Sequence, residues 1–444
     1  MVDSSPSASN HDLTGRRVLV MGLGRFGGGV GAARYAARHG AEVLVTDMAA
    51  PETLEASVEA LDGFPVRFRL GEHREEDFRA ADVLVVNPAV DPRGNRYLAE
   101  AREAGAQITS EIRLLAQRIP PGVMTVGITG SAGKSTVTAM IGHALSRQVP
   151  DRRIHVGGNL GGSLLEQVDG FASRDIVVLE LSSFMLEGLA LDAWSPRVAV
   201  VTNLAPNHLD RHGTFETYVA AKQAITRHQA DDDVAVLGTD AASWPTRGEK
   251  IVIRSAPNDL RLFLPGEHNR LNAALAKAAG EAALGTSWPA DVLEGFHGLP
   301  HRLQFVCEHE SVRYYNDSKS TTPESAMLGM ASFPRNRVHV ILGGYDKGSD
   351  LAEMSRFAAD HCRGLYAIGQ TGSVIAEAAR GNGPADVVVC QTLTEAVCQL
   401  HRVLAPDQIV LLSPGCASWD QFENFEQRGA KFIEAVLACT GEGS

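Results

Sequence analysis

The segment Val126-Gly127-Ile128-Thr129-Gly130-Ser131-Ala132-Gly133-Lys134-Ser135-Thr136 passes from a β-branched run through a glycine turn into a helical pattern. Such a turn lets backbone N–H groups close around phosphate oxygens, while the Lys134 ammonium reaches the outer phosphates and the Ser135 hydroxyl is available to Mg2+. The strict phosphate-loop spacing is missed, because Ile128 holds its first position and Gly127 stands one place earlier. The physical content survives. Gly130, Ser131, Ala132, Gly133, Lys134, Ser135 and Thr136 are the expected phosphate-binding residues.

A nucleotide loop needs acids for its metal. Glu180 ends the apolar run Ile176–Leu181, which puts a carboxylate at the carboxyl edge of a sheet, where such ligands belong. His208 lies in Asn207-His208-Leu209-Asp210-Arg211-His212, after the run Val198–Asn203. Lys222 follows 14 residues later, on a helix expected from about Phe215. One reading makes Lys222 an ordinary salt-bridging helix residue. The other makes it a metal ligand after carbamylation by carbon dioxide, a reaction that needs a neutral amine and so excludes arginine. Composition bears on the choice, since 7 lysines stand against 34 arginines and a surviving lysine can mark a place arginine cannot serve.

A second glycine opening lies near the N-terminus. The run Arg17–Met21 is followed by Gly22-Leu23-Gly24-Arg25-Phe26-Gly27, a helical stretch, and a second run ending at Asp47, 20 residues beyond the last glycine. This is a dinucleotide fingerprint, with glycines for close phosphate approach and an acid for a ribose hydroxyl. A nicotinamide dinucleotide and a UDP-sugar present the same groups, so the motif alone leaves both open.

These segments need elements to hold them. Eight runs read as buried strands: Arg17–Met21, Glu42–Asp47, Val83–Asn87, Thr125–Thr129, Ile176–Leu181, Val198–Asn203, Val338–Gly343 and Gln408–Leu412, alternating with amphipathic helices. The fold class is α/β with mostly parallel sheets. At 444 residues about three domains are expected, and proline-bearing joints near Glu111–Pro121 and Gly298–His301 divide the chain into residues 1–112, 113–300 and 301–444. Residues 1–12, polar and serine-rich, are expected to be a disordered tail without the features of a signal peptide. The formal charge of −12 disfavours nucleic-acid binding, and no apolar run is long enough for a membrane span. All six cysteines lie in the last third without metal-finger spacing, which reads as buried small hydrophobes and a cytoplasmic location.

The assembled motifs resemble the Mur ligase family, most closely its glutamate-adding members, from Val18 to about Val436. The residues that carry the resemblance are Thr129–Ser135, Glu180-Leu181-Ser182-Ser183-Phe184, His208–Arg211, Gly266-Glu267-His268-Asn269 with Asn272, Leu299–Arg302, Asn316–Thr321, Leu412–Ser418 and Asp420–Gly429. The resemblance implies a Rossmann-like UDP-binding domain, a central phosphate-loop ATPase domain and a Rossmann-like C-terminal domain that closes over the reaction. The implied activity is ATP-dependent ligation of glutamate, D rather than L on prevalence, to UDP-N-acetylmuramoyl-L-alanine through an acyl phosphate, in peptidoglycan synthesis. It further implies two Mg2+ sites, with Mn2+ as a substitute, and a monomer acting on small molecules.

Residue by residue, Lys134, Glu180, His208, Lys222 and Lys319 match catalytic positions, and Ser135, Glu180, His208 and carbamylated Lys222 match metal ligands. Asn269, Asn272, Arg302 and Asp317 match ATP contacts. Gly24, Arg25, Phe26, Asp47, Asn87 and Asn159 match UDP-substrate contacts. Lys319, Thr321, Lys347, Ser418 and Phe425 match glutamate contacts. Three departures stand out: Met185 where the family commonly has glutamine, Asn207 where an acid is usual, and Trp419 where a smaller apolar residue is usual. A dehydrogenase would use only the first domain, and a folate ligase would lack the N-terminal fingerprint. A catalytically silent nucleotide-binding protein is the rival from another class.

Overall fold

The computed structural model describes residues 12–24 and 27–441. The expected tail lies outside these residues except for Asp12, whose carboxylate accepts the Thr14 N–H at 2.9 Å, so the chain is held from that point. Three α/β sheets follow in chain order. The first contains β1 (Arg17–Met21), β2 (Glu42–Asp47), β3 (Val66–Leu70), β4 (Val83–Val86) and β5 (Gln107–Thr109), all parallel in the order β3-β2-β1-β4-β5. The second contains β6 (Met124–Thr129), β7 (Ile154–Gly158), β8 (Ile176–Glu180), β9 (Val198–Val201), β10 (Val234–Gly238) and β11 (Glu249–Ile253), all parallel in the order β11-β10-β9-β6-β8-β7. The third contains β12 (Gln304–His309), β13 (Val312–Asn316), β14 (Val338–Gly343), β15 (Gly364–Ile368), β16 (Asp386–Val389) and β17 (Ile409–Leu412), in the order β12-β13-β17-β14-β15-β16. Only β12 and β13 pair antiparallel.

Central strands such as β8 (IVVLE) and β9 (VAVV) are buried along their whole length, as continuous apolar runs covered on both faces must be. Several expected strands run one or two residues too far. Asn87 and Asn203 leave the ladder beyond β4 and β9, where their side chains serve loops: the Asn87 amide donates to Gly22 O and the Asn203 carbonyl oxygen accepts from Ala132 N.

The chain divides into two compact units. One comprises Met1–Ser255 with Leu275–Trp288 and holds the first two sheets; the other comprises Ala256–Ala274 with Pro289–Ser444 and holds the third. Within the first, β1 lies between β2 and β4, so the chain reverses direction across the sheet beside the glycine turn, the place where ligands bind in open parallel sheets. In the second sheet β6 lies between β8 and β9, and because all three run parallel, the loops after Thr129, Glu180 and Val201 leave from one edge.

All six cysteines are free; Cys307, Cys362, Cys390 and Cys416 are buried, as small hydrophobes would be, while Cys398 and Cys439 are half-buried. No helix among the described residues is long and apolar enough to cross a membrane.

The second unit is pinned by a buried cation. Arg428, on the helix Phe425–Thr440, is 1% exposed. Its guanidinium donates to Ser318 Oγ (3.0 Å), Ser318 O (2.8 Å), Cys416 O (3.0 Å) and Ala417 O (3.1 Å), which ties the segment after β13 to the segment after β17. Burial lowers its pKa to about 10, which leaves it charged at neutral pH. Arg428→Leu strips a partner from all these buried acceptors, each of which costs about 1–3 kcal/mol when unpaired. Thermal melting is expected to show a large drop in the stability of the second unit; a melt matching the parent would contradict this.

Candidate active site

In the first unit a cavity of about 440 Å³ gathers both glycine openings. Gly24, Gly28, Gly29 and Asn87 line it from the first sheet, and Asn159, Lys134, His208 and Lys222 from the second. Arg25 and Phe26, expected beside Gly24, lie outside the described residues. Asp47 turns inward to the glycine turn: its Oδ2 accepts the N–H groups of Leu23 (2.8 Å) and Gly24 (3.2 Å), and its Oδ1 accepts that of Ala49 (2.9 Å). The acid expected for a ribose hydroxyl thus shapes the turn through these backbone contacts.

The phosphate loop leaves β6 with Gly130 at φ 146°, where an added Cβ would overlap the Thr202 hydroxyl, and enters the helix Lys134–Gln148 through Gly133 at φ 80°. Only glycine meets both demands. Asn203 braces the loop, accepting Ser131 N at its backbone oxygen (2.9 Å) and Ala132 N at its side chain (3.0 Å). Lys134 Nζ donates to the loop's own carbonyls at Gly130 (3.1 Å) and Ser131 (3.3 Å). Ser135 and Thr136 follow on the first turn of the helix.

Glu180 ends β8 and is 2% exposed. One of its oxygens accepts the Asn159 amide at 2.9 Å, and the other, Oε2, is buried without a partner. Lys222, also 2% exposed, lies on the helix Phe215–Arg227, which starts at the expected residue and is capped by the Thr214 hydroxyl. Its Nζ donates to Thr129 Oγ1 at 3.3 Å and sits 4.6 Å from the centre of the Tyr218 ring. Burial, followed by the charge on Lys134, lowers the Lys222 pKa to about 7 against the opposing pull of Glu180. A neutral amine is thus accessible near pH 7. His208 adopts a left-handed conformation (φ 52°) and begins the short helix Leu209–His212, with its ring 5.3 Å from that of Phe184.

Among the described residues no three His, Cys, Asp or Glu side chains cluster as a metal set. A metal at this edge needs other donors, which the Ser135 hydroxyl and a carbamylated Lys222 would add to His208 and the unpartnered Glu180 oxygen. The residues present fit Mg2+, a hard cation that takes oxygen ligands.

The second unit carries the remaining expected residues. Asp317 follows β13 and is held by Leu303 N (3.1 Å), Ser320 Oγ (2.6 Å) and Ser413 Oγ (2.7 Å). Burial raises its pKa to about 6, outweighing those hydrogen bonds. Asn269 and Asn272 are buried on the helix Glu267–Leu284 and bond to each other at 3.4 Å, while Arg302 is exposed. Lys319 Nζ lies 5.1 Å from the centre of the Phe425 ring, and Lys347 Nζ lies 4.5 Å from that of Trp419. Thr321 and Lys347 line one small cavity with Tyr345 and Cys416, and Ser418 is buried beyond Ala417.

Of the three departures, Met185 lines the large cavity, Asn207 accepts the His208 N–H at 2.9 Å, and Trp419 is 60% exposed beneath Lys347. Sequence reasoning missed Asn203 and Tyr218. Tyr218 stands four residues before Lys222, a spacing that puts both on one helix face, and its hydroxyl lies 3.0 Å from Ser131 Oγ. Asn203 had a weaker signal, a polar residue closing an apolar run.

Comparison with known proteins covers the same segments. Residues 16–110 match the description Mur ligase MurD-like, N-terminal domain; residues 128–259 match Mur ligase middle domain; residues 301–416 match Mur ligase, glutamate ligase domain. The UDP-N-acetylmuramoylalanine–D-glutamate ligase of Roseiflexus sp. is 38% identical, over 96% of this chain and 100% of the relative. The protein of the same name from Geobacter metallireducens is 36% identical, over 97% of this chain and 99% of the relative. Among solved structures, UDP-N-acetylmuramate-alanine ligase MurC from Thermotoga maritima shares the fold at TM-score 0.55 and 19% identity, over 95% of this chain and 99% of that one. Near-complete coverage at such identity, with domain matches in the same order as the sheets and the phosphate loop, places the chain in the Mur ligase family.

Proposed function

We propose that this protein joins D-glutamate to the L-alanine carboxylate of UDP-N-acetylmuramoyl-L-alanine at the expense of ATP, a step of peptidoglycan synthesis and hence of cell-wall growth and division. The observation that carries the reading is a cavity lined both by a glycine turn suited to a uridine diphosphate and by Lys134, His208 and Lys222. The D configuration follows the names of the relatives. The reading includes a cytoplasmic monomer that acts on small molecules, with functional modules at residues 1–112, 113–300 and 301–444.

A carboxylate does not acylate an amine in water, because its leaving group would be oxide. An oxygen of the L-alanine carboxylate therefore attacks the γ-phosphorus of ATP, giving an acyl phosphate as ADP leaves. The glutamate amine, having lost a proton, then attacks the acyl carbon, and inorganic phosphate departs as the amide forms. Lys134 offsets charge on the phosphoryl oxygens, and the backbone N–H groups of Gly130 to Lys134 orient them. Ser135, Glu180, His208 and carbamylated Lys222 would hold Mg2+, in two sites that Mn2+ could also fill, and the bound cation would supply further charge neutralisation. Asn269, Asn272, Arg302 and Asp317 contact ATP. Lys319, Thr321, Lys347, Ser418 and Phe425 hold glutamate, while Gly24, Arg25, Phe26, Asp47, Asn87 and Asn159 hold the uridine substrate. Release of phosphate from ATP with UDP-N-acetylmuramoyl-L-alanine, compared between D- and L-glutamate, tests the whole reading, and turnover independent of the muramyl substrate would contradict it.

Lys134→Ala is expected to abolish phosphate release while leaving thermal melting close to the parent, because the lysine compensates charge whereas the loop backbone keeps its geometry. Turnover near the parent rate would remove the phosphate-loop assignment.

Lys222→Ala is expected to lose most activity and to regain part of it with added formate or acetate, which place a carboxylate oxygen where the carbamate would be. Lys222→Arg keeps the charge but not the chemistry, and is expected to stay inactive. Because the amine is neutral mainly above its lowered pKa of about 7, activity should fall as pH drops through that value, and bicarbonate should oppose the loss. An arginine variant with full activity would rule the carbamate out.

A further inference from the structure

One acid in the large cavity has no part in the reaction just described. Glu111 opens the helix Glu111–Ala116, is 8% exposed, and lines the cavity together with Ser163. The Ser163 hydroxyl donates to Glu111 Oε1 at 2.5 Å, and the second carboxyl oxygen makes no hydrogen bond among the described residues. Ser163 in turn packs against the helix Gly28–Arg38: a Cβ added at Gly31 would collide with its side chain. Gly31 is one turn from the start of that helix, where Gly28 and Gly29 line the same cavity. The Glu111–Ser163 pair therefore stands close to the helix N-terminus where a diphosphate is best accommodated.

We propose that Glu111 is a specificity-determining contact for the uridine nucleotide, its carboxylic hydroxyl donating to a phosphoryl oxygen while Ser163 holds the other carboxyl oxygen. This rests on reading the cavity as a uridine-diphosphate-sugar site. An ionised carboxylate at that place would repel the diphosphate, whereas a protonated one gives it a donor. Burial favours the protonated form, raising the Glu111 pKa to about 7, with the Ser163 hydroxyl the one group that pulls it back. The charged groups on neighbouring elements are engaged elsewhere: Arg113 with Asp192, Arg34 and Arg38 with Glu166, His39 with Asp169, and Glu187 with His212. Lys134, His208 and Lys222 face the same cavity from the second sheet.

The sign follows directly. Nucleotide affinity is greatest below pH 7 and declines as Glu111 ionises above it. With only the protonated form competent, the apparent Kd weakens about tenfold between pH 6 and pH 8, in proportion to the competent fraction. The muramyl nucleotide brings no competing titration, since both ends of its diphosphate are esterified and its carboxylate is ionised throughout that range, whereas UDP, whose terminal phosphate takes up a proton at about pH 6, is left out of the test.

Calorimetric titration of the full chain without ATP, using UDP-N-acetylmuramoyl-L-alanine and uridine at pH 6, 7 and 8, tests the proposal. Wild-type protein should bind the muramyl nucleotide more weakly as pH rises, with no such change for uridine. Glu111→Gln, which keeps a neutral donor, should match wild type at pH 6 and lose most of the dependence on pH, keeping only the part that Lys222 contributes as its ammonium gives up its charge near pH 7. Glu111→Ala should bind the muramyl nucleotide weakly at every pH. A wild-type Kd that is flat with pH, or a glutamine variant that keeps the parent slope, would overturn the role of Glu111 and leave the cavity assignment standing. A wild-type chain that binds no uridine nucleotide would instead overturn the cavity assignment, and the Glu111 proposal with it.

Discussion

The site depends on an amine removed from water. Lys222 is buried at the end of β6 against the Tyr218 ring and the Thr129 hydroxyl, and in that setting its ammonium is costly enough to lose its proton near pH 7. A nearby carboxylate could have stabilised the charge by close pairing. Instead Glu180 spends one oxygen on Asn159 and leaves the other unpartnered. The two groups read together as a place prepared for a ligand, because a folded chain rarely leaves a buried carboxylate oxygen without a partner.

Sheet topology explains how residues far apart in sequence come to this edge. Parallel strands deliver all their carboxyl ends to one side, so the order β9-β6-β8 sets the phosphate loop between Glu180 and the segment leading to His208. The first sheet uses the same device, with β1 between β2 and β4 bringing Gly22–Gly24, Asp47 and Asn87 together. In the second unit the device is different: Arg428 ties the strand-end segments at Ser318 and Cys416–Ala417 with hydrogen bonds, and these segments lead to Lys319 and Ser418.

The sequence made the central strands and the glycine turns legible, since long apolar runs and fixed spacings are local signals. Edge strands were harder to see. β3 (VRFRL) and β11 (EKIVI) carry charged residues because one side of an edge strand faces solvent, and neither shows a continuous apolar run. Interior β10 (VAVLG) and β15 (GLYAI) also escaped, although both are short apolar runs bounded by glycine. At the site, Lys134, Glu180, His208 and Lys222 announced themselves by motif. Glu111 gave no local signal, because what distinguishes it is burial beside Ser163, 52 residues away. Arg428 sat within a quoted motif, yet only the folded contacts reveal what its guanidinium does.

The most direct measurement is carbon-13 NMR of the protein equilibrated with 13C-labelled bicarbonate. A neutral, buried Lys222 amine predicts a carbamate resonance in the parent protein that disappears in Lys222→Arg and fades as pH falls below about 7. A fully active parent enzyme that shows no such resonance would contradict the account.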